Sequence, residues 1–124
     1  MSMARQSEFL IGSCVWYSHK EFNPELGEYE DLRHAGVIVD IIDRPSGTVY
    51  FIAYCVKKSY EKPGRLGVTK DSKNGKAICL DTDRYFYKDN FDRTLISKLE
   101  IKDGFCPPEL MSLLRASVGL IEKP

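Results

Sequence analysis

Apolar and polar positions alternate in short blocks along most of the chain, and the blocks are rich in β-branched and aromatic residues. Phe9-Leu10-Ile11 and Val15-Trp16-Tyr17 flank Gly12-Ser13-Cys14 and predict a first strand with a glycine near its start. Residues 18–32 are polar, contain Pro24 and Gly27, and read as a long loop. A loop of that length inside a compact domain is generally functional or disordered. The nearly unbroken apolar run from Ala35 to Ile42 predicts a buried second strand. Arg44-Pro45-Ser46-Gly47 is a turn signal, and Thr48 to Val56 is β-prone throughout, so strands two and three form a hairpin.

The pattern then loosens. A basic loop runs to about Lys76, with room for a short strand near Leu66–Thr69. Ala77-Ile78-Cys79-Leu80 reads as a fourth main strand leading into Asp81-Thr82-Asp83-Arg84. Tyr85-Phe86-Tyr87 fits strand or turn, and Arg93 to Lys102 alternates as a last strand that Asp103-Gly104 breaks. Pro107-Pro108-Glu109 opens a helix over Pro108–Ile121, with proline in its first turn and an acid near the positive end of its dipole. Leu110, Leu113, Leu114, Val118 and Ile121 recur at helical spacing and form its docking stripe. Mostly antiparallel strands followed by a helix predict a mainly β fold, a small, partly open antiparallel β-barrel with a C-terminal α-helix.

Length changes this picture little. The 124 residues suit a single domain, 1–124, with 1–8 as an N-terminal extension. No apolar stretch is long enough to span a membrane, and the first residues have no signal-peptide pattern, so a cytoplasmic protein is expected. Cys14, Cys55, Cys79 and Cys106 form no C-x-x-C pair, which argues against a zinc site and for reduced, mostly buried thiols. No metal and no cofactor are expected.

Charge is more informative. The net charge is zero, which argues against a strongly basic nucleic-acid binder. Residues 20–31 nevertheless carry five acids against one lysine, and residues 57–76 carry seven basic residues against two acids. The second segment fits an anion-binding role as well as it fits a loop kept soluble by lysines. Candidate chemistry centres on Arg33, at the junction of the acidic loop and the second strand. A guanidinium there presents a fixed fork of donors suited to phosphate, although a solvated strand-end arginine is the commoner case. His19 and His34 lie at the two ends of the same loop, so a histidine-pair nuclease would have to use both. No P-loop, dinucleotide or nucleophile-elbow motif is present.

The order of these pieces, from Gly12 to Ile121, resembles the MazF/PemK/Kid toxins, the RNA-cleaving members of toxin–antitoxin pairs. Gly12-Ser13-Cys14-Val15-Trp16-Tyr17 resembles that family's opening "G-[DE]-[IL]-[VIW]-W-V". Arg33 with Ala35-Gly36-Val37-Ile38-Val39 resembles its "x-R-P-A-V-V-[IL]". Asp103-Gly104 through Pro107-Pro108-Glu109-Leu110 is similar to its "G-x-[LV]-x-x-[ED]-x-[LM]" ending.

The resemblance implies an SH3-like barrel and a homodimer. It implies an endoribonuclease (an mRNA interferase) that cuts single-stranded RNA without a metal, by attack of a ribose 2′-hydroxyl to leave a 2′,3′-cyclic phosphate. A cognate antitoxin would be its protein partner. Arg33 would hold the scissile phosphate and stabilise or protonate the leaving side. Cys55 stands where the family commonly has a threonine or serine, and a thiol is a weaker donor. Asp81 matches an acid that serves some members as a base, and fits equally a turn-capping aspartate. Cys79 replaces a basic residue two positions earlier. His34 replaces the family's proline and offers either an acid–base group or packing.

Lys57, Lys58 and Arg65 would track an RNA backbone with Tyr60 as a stacking platform, or form an ordinary surface hairpin. The alternative function is a binding module of the same fold that holds RNA or a protein without cutting.

Overall fold

A computed structural model describes residues 9–120. They form a mainly β fold, a curled, six-stranded antiparallel half-barrel with a helix at its C-terminal end. The strands are β1 (Ser13–Asn23), β2 (Glu28–Arg44), β3 (Gly47–Val56), β4 (Leu66–Val68), β5 (Arg84–Thr94) and β6 (Leu99–Phe105), in the order β4-β5-β3-β2-β1-β6. The helices are α1 (Lys73–Ala77) and α2 (Pro108–Ser117).

β2 reads as a continuous apolar run because both faces of the sheet are covered at its middle. On one face Cys14, Val37, Ala53, Cys55 and Phe86 form the main core, sealed by Leu110 and Leu114 of α2 and by Val118 just after it. On the other, Val15, Tyr17, Ile38, Ile52 and Leu99 form a second cluster, with Phe9 set edge-on against Tyr50. The β2–β3 register shifts between Ile38 and Asp40, a bulge that buries both Ile38 and Val39. Arg115 of α2 donates to the Val39 carbonyl, tying helix to bulge.

Several expectations are corrected. Residues 18–32 are not a loop, since β1 continues to Asn23 and β2 begins at Glu28. This polar ribbon has no core of its own and is held by cross-strand pairs. Phe22 faces Tyr29 with ring centroids 5.2 Å apart, and Lys20 bonds Asp31 at 2.8 Å. Its turn uses Gly27 at φ +70° and the Asn23 side chain, which accepts from the Glu25 amide at 2.9 Å. Arg33 therefore lies inside a strand, not at a loop end.

Residues 77–80 are not a strand. Ser72 caps α1, accepting from the Gly75 amide at 3.0 Å, and Ile78 to Leu80 form the turn that leaves it. So short an apolar run cannot distinguish a helix end from a strand. Tyr85 to Tyr87 belong to β5, the first strand starts at Ser13, and a 3-10 turn at Ile96–Lys98 divides the expected Arg93–Lys102 strand. Asp103-Gly104 does not end β6. Gly104, at φ +104°, carries it across α1, where a Cβ would come within 2.8 Å of the Ala77 carbonyl oxygen. α2 ends at Ser117 with Leu113 exposed on its outer side, and Ile121 and the extension 1–8 lie outside the described residues. Among the described residues no helix is long and apolar enough to cross a membrane.

The seal of α2 on the main core sets the stability of the fold. Leu114 is fully buried, so Leu114→Ala leaves a cavity and should destabilise the protein by about 2–5 kcal/mol, read from urea unfolding.

Candidate functional site

Side chains alternate across a strand, so neighbours in sequence face opposite sides of the sheet. Arg33 shares a face with Trp16 and Ala35, while His34 shares the other with Tyr17 and Tyr54. Two separate constellations result.

The first lies across β2, β1 and β6. The Arg33 guanidinium carbon sits 4.5 Å from the Trp16 ring centroid, and its Nη2 donates to Glu100 Oε1 at 2.8 Å. Glu100 is the β6 residue paired with Trp16. Lys102, two residues on, places its ammonium 5.3 Å from the same ring and donates to the carbonyls of Ile78 and Cys79 at 2.7 and 2.8 Å. The Arg33 side chain stays about half exposed, at 54%. A cation on an aromatic face, next to a carboxylate and open to solvent, suits a phosphate beside a base or a ribose.

Asp81 stands in the turn after α1 and accepts from Arg84 Nη2 at 3.0 Å. Arg84 beside it, aided by Lys57, holds the Asp81 carboxyl below its ordinary value, so it is ionised at neutral pH. Arg33 thus pairs with Glu100, and Arg84 pairs with Asp81.

Cys55 is elsewhere in role. Its thiol is fully buried, donates to the Ala35 carbonyl at 3.2 Å, and is pushed up to about 12 by burial. It packs the core and cannot touch a substrate, which corrects its place in the candidate catalytic set. His34 points away from Arg33 and so is not its partner.

The expected RNA-binding residues divide. Tyr60 is partly exposed, with the Lys58 and Lys62 ammonium groups 5.4 and 5.3 Å from its ring. Its backbone amide donates to the Tyr87 hydroxyl, which donates in turn to the Lys58 carbonyl at 3.1 Å, so the loop is anchored. Arg65 bonds Ser59, the Tyr60 carbonyl and Glu61 at 3.1–3.3 Å and braces the same loop. Lys57 directly follows β3 and belongs with Asp81 instead.

The second constellation is aromatic. His34 stacks on Tyr54 with centroids 5.0 Å apart and lies 5.0 Å from the His19 ring, which stacks on Tyr17 at 5.3 Å. Burial first, then His19, lowers the pKa of His34 and keeps it neutral at pH 7. The Tyr17 hydroxyl donates to Asp92. The structure therefore does bring the two histidines together, as neighbours on a β-ribbon instead of the ends of a loop.

Trp16, Glu100 and Lys102 complete the Arg33 group, and none was singled out from sequence. Their signal was the alternation itself: Glu100 and Lys102 are the polar positions of Leu99-Glu100-Ile101-Lys102, two apart and therefore on one face.

No known family model matches the chain, and no curated protein matches it.

The Asp81–Arg84 pair has a signed pH consequence. The folded pKa of Asp81 is below its ordinary 3.8, so its contribution is fully present above that value and fades as pH falls through the folded one. Asp81 is exposed, so the contribution is screened to at most about 1 kcal/mol. The stability difference between wild type and Asp81→Asn should be constant from pH 5 to 7 and shrink below roughly pH 4, as read by urea unfolding.

Proposed function

We propose that the Arg33 face binds single-stranded RNA and cleaves it without a metal. The observation that carries this reading is the Arg33 guanidinium lying on Trp16 while bonded to Glu100. Cleavage by an internal 2′-hydroxyl needs a base, charge stabilisation at the phosphorane and a proton for the leaving 5′ oxygen. Glu100 takes the 2′-hydroxyl proton as the O2′–P bond forms. Arg33 neutralises the equatorial phosphate oxygens. Lys102 has two hydrogens engaged by carbonyl oxygens and one left for the 5′ oxygen as the P–O5′ bond breaks. Exchange with water then restores both groups. Trp16 holds the Arg33 and Lys102 cations against its ring, and Lys57 adds a further positive charge just after β3. The mainly β half-barrel with its C-terminal helix is compatible with the fold that the toxin resemblance implies. Glu100 here takes the role first given to Asp81, because Glu100 is the carboxylate in contact with Arg33.

A second reading is binding without cutting. It is favoured by the burial of Cys55 and the turning away of His34, which leave Arg33 without two of its expected partners.

One experiment separates them. A long single-stranded RNA is incubated with the protein in EDTA, beside Arg33→Ala, Glu100→Gln and Asp81→Asn. Cleavage to cyclic-phosphate ends is expected, reduced about a hundredfold or more by Arg33→Ala and Glu100→Gln and much less by Asp81→Asn. Intact RNA with salt-dependent binding would establish the second reading. Neither cleavage nor salt-dependent binding would overturn both.

A further inference from the structure

The opposite face of the β1–β2 ribbon carries a different chemistry, independent of RNA. Tyr17, His19 and Glu21 alternate along β1 and so share one face, and His34 stands across from Tyr17 on β2. That register makes His19 and His34 diagonal neighbours, close enough for their side chains to meet. One ring nitrogen from each histidine and one Glu21 carboxylate oxygen lie within 4.8 Å of one another. The His19 Nε2 to Glu21 Oε2 distance is 4.0 Å.

We propose that His19, Glu21 and His34 bind one divalent transition-metal ion of the zinc class. A tetrahedral ion with bonds near 2.0–2.2 Å holds its ligand atoms roughly 3.3–3.6 Å apart, so small side-chain rotations close this set. Glu21 is exposed and free to make that movement.

Two observations support the site. Both Nε2 atoms are buried and have no hydrogen-bond partner. Buried polar atoms in a folded protein are almost always satisfied, and two unsatisfied nitrogens on imidazoles 5.0 Å apart mark a ligand position. In addition, the Tyr54 ring packs against both imidazoles, and the Tyr17 ring stacks on His19. Two nitrogens and one carboxylate suit Zn²⁺, Co²⁺ or Ni²⁺, whereas Mg²⁺ and Ca²⁺ take oxygen donors. Three protein ligands leave a fourth position open for water or a small anion.

The test uses the full chain without a polyhistidine tag, stripped with EDTA and titrated with Zn²⁺ by calorimetry. Circular dichroism checks that each variant is folded. One ion per chain is expected, with affinity falling on the order of tenfold to a hundredfold in His34→Gln, His19→Gln and the exposed Glu21→Gln, and unchanged in Cys79→Ser. A wild type that binds no Zn²⁺ would overturn the proposal. So would affinity equal to wild type in the folded Glu21→Gln and histidine variants, or loss of binding on Cys79→Ser alone. RNA cleavage is assayed in EDTA on the other face, so the two proposals fail separately.

Discussion

The register of the β1–β2 ribbon is the constraint on which everything functional here depends. Pairing Cys14 with Val37 and Tyr17 with His34 sends Trp16 and Arg33 to one side of the sheet, and Tyr17, His19 and His34 to the other. A slip of one residue would exchange the two sets and empty both constellations. The register is fixed where the ribbon is buried, by Val15 and Ile38 on one face and Cys14 and Val37 on the other. It is carried outward into the polar half by the Lys20–Asp31 and Phe22–Tyr29 pairs. Core packing at one end of two strands thus positions chemistry at the other.

The barrel is open between β4 and β6, and the opening is spanned by a few specific contacts. Gly104 lets β6 pass over α1, and Lys102 donates to the two carbonyls in the turn after α1. Orphan carbonyls at a helix end favour a cation, so Lys102 is held in place by the fold before any ligand arrives. Its ammonium also lies on Trp16. One lysine therefore joins barrel closure to the Arg33 group, which explains how exposed polar residues on three strands keep a fixed geometry.

Much of the fold was legible in sequence, and the failures have physical reasons. The β2–β3 hairpin and α2 were plain because apolar periodicity and turn chemistry agreed. The 18–32 segment reads as a loop in sequence because a ribbon held by cross-strand charge and aromatic pairs carries no apolar signal. α1 is hidden in sequence because its few residues, Lys73–Ala77, run into an apolar tetrad, 77–80, that also suits a strand. Arg33 was visible as a candidate from its place beside a buried strand. Its companions were not, because Trp16, Glu100 and Lys102 come from strands whose adjacency only the topology β2-β1-β6 supplies. Cys55 and His34 were grouped with it by order along the chain, while burial and alternation separate them.

Trp16 is the single tryptophan of the chain and sits at the centre of the proposed RNA face, which makes its fluorescence a direct reporter. Titrating a short single-stranded RNA into the protein at low salt should change the Trp16 emission saturably, with an affinity that falls as salt rises and is weakened by Arg33→Ala. RNA that binds without altering Trp16 emission, or an emission change that Arg33→Ala leaves intact, would contradict the placement of the site on this face.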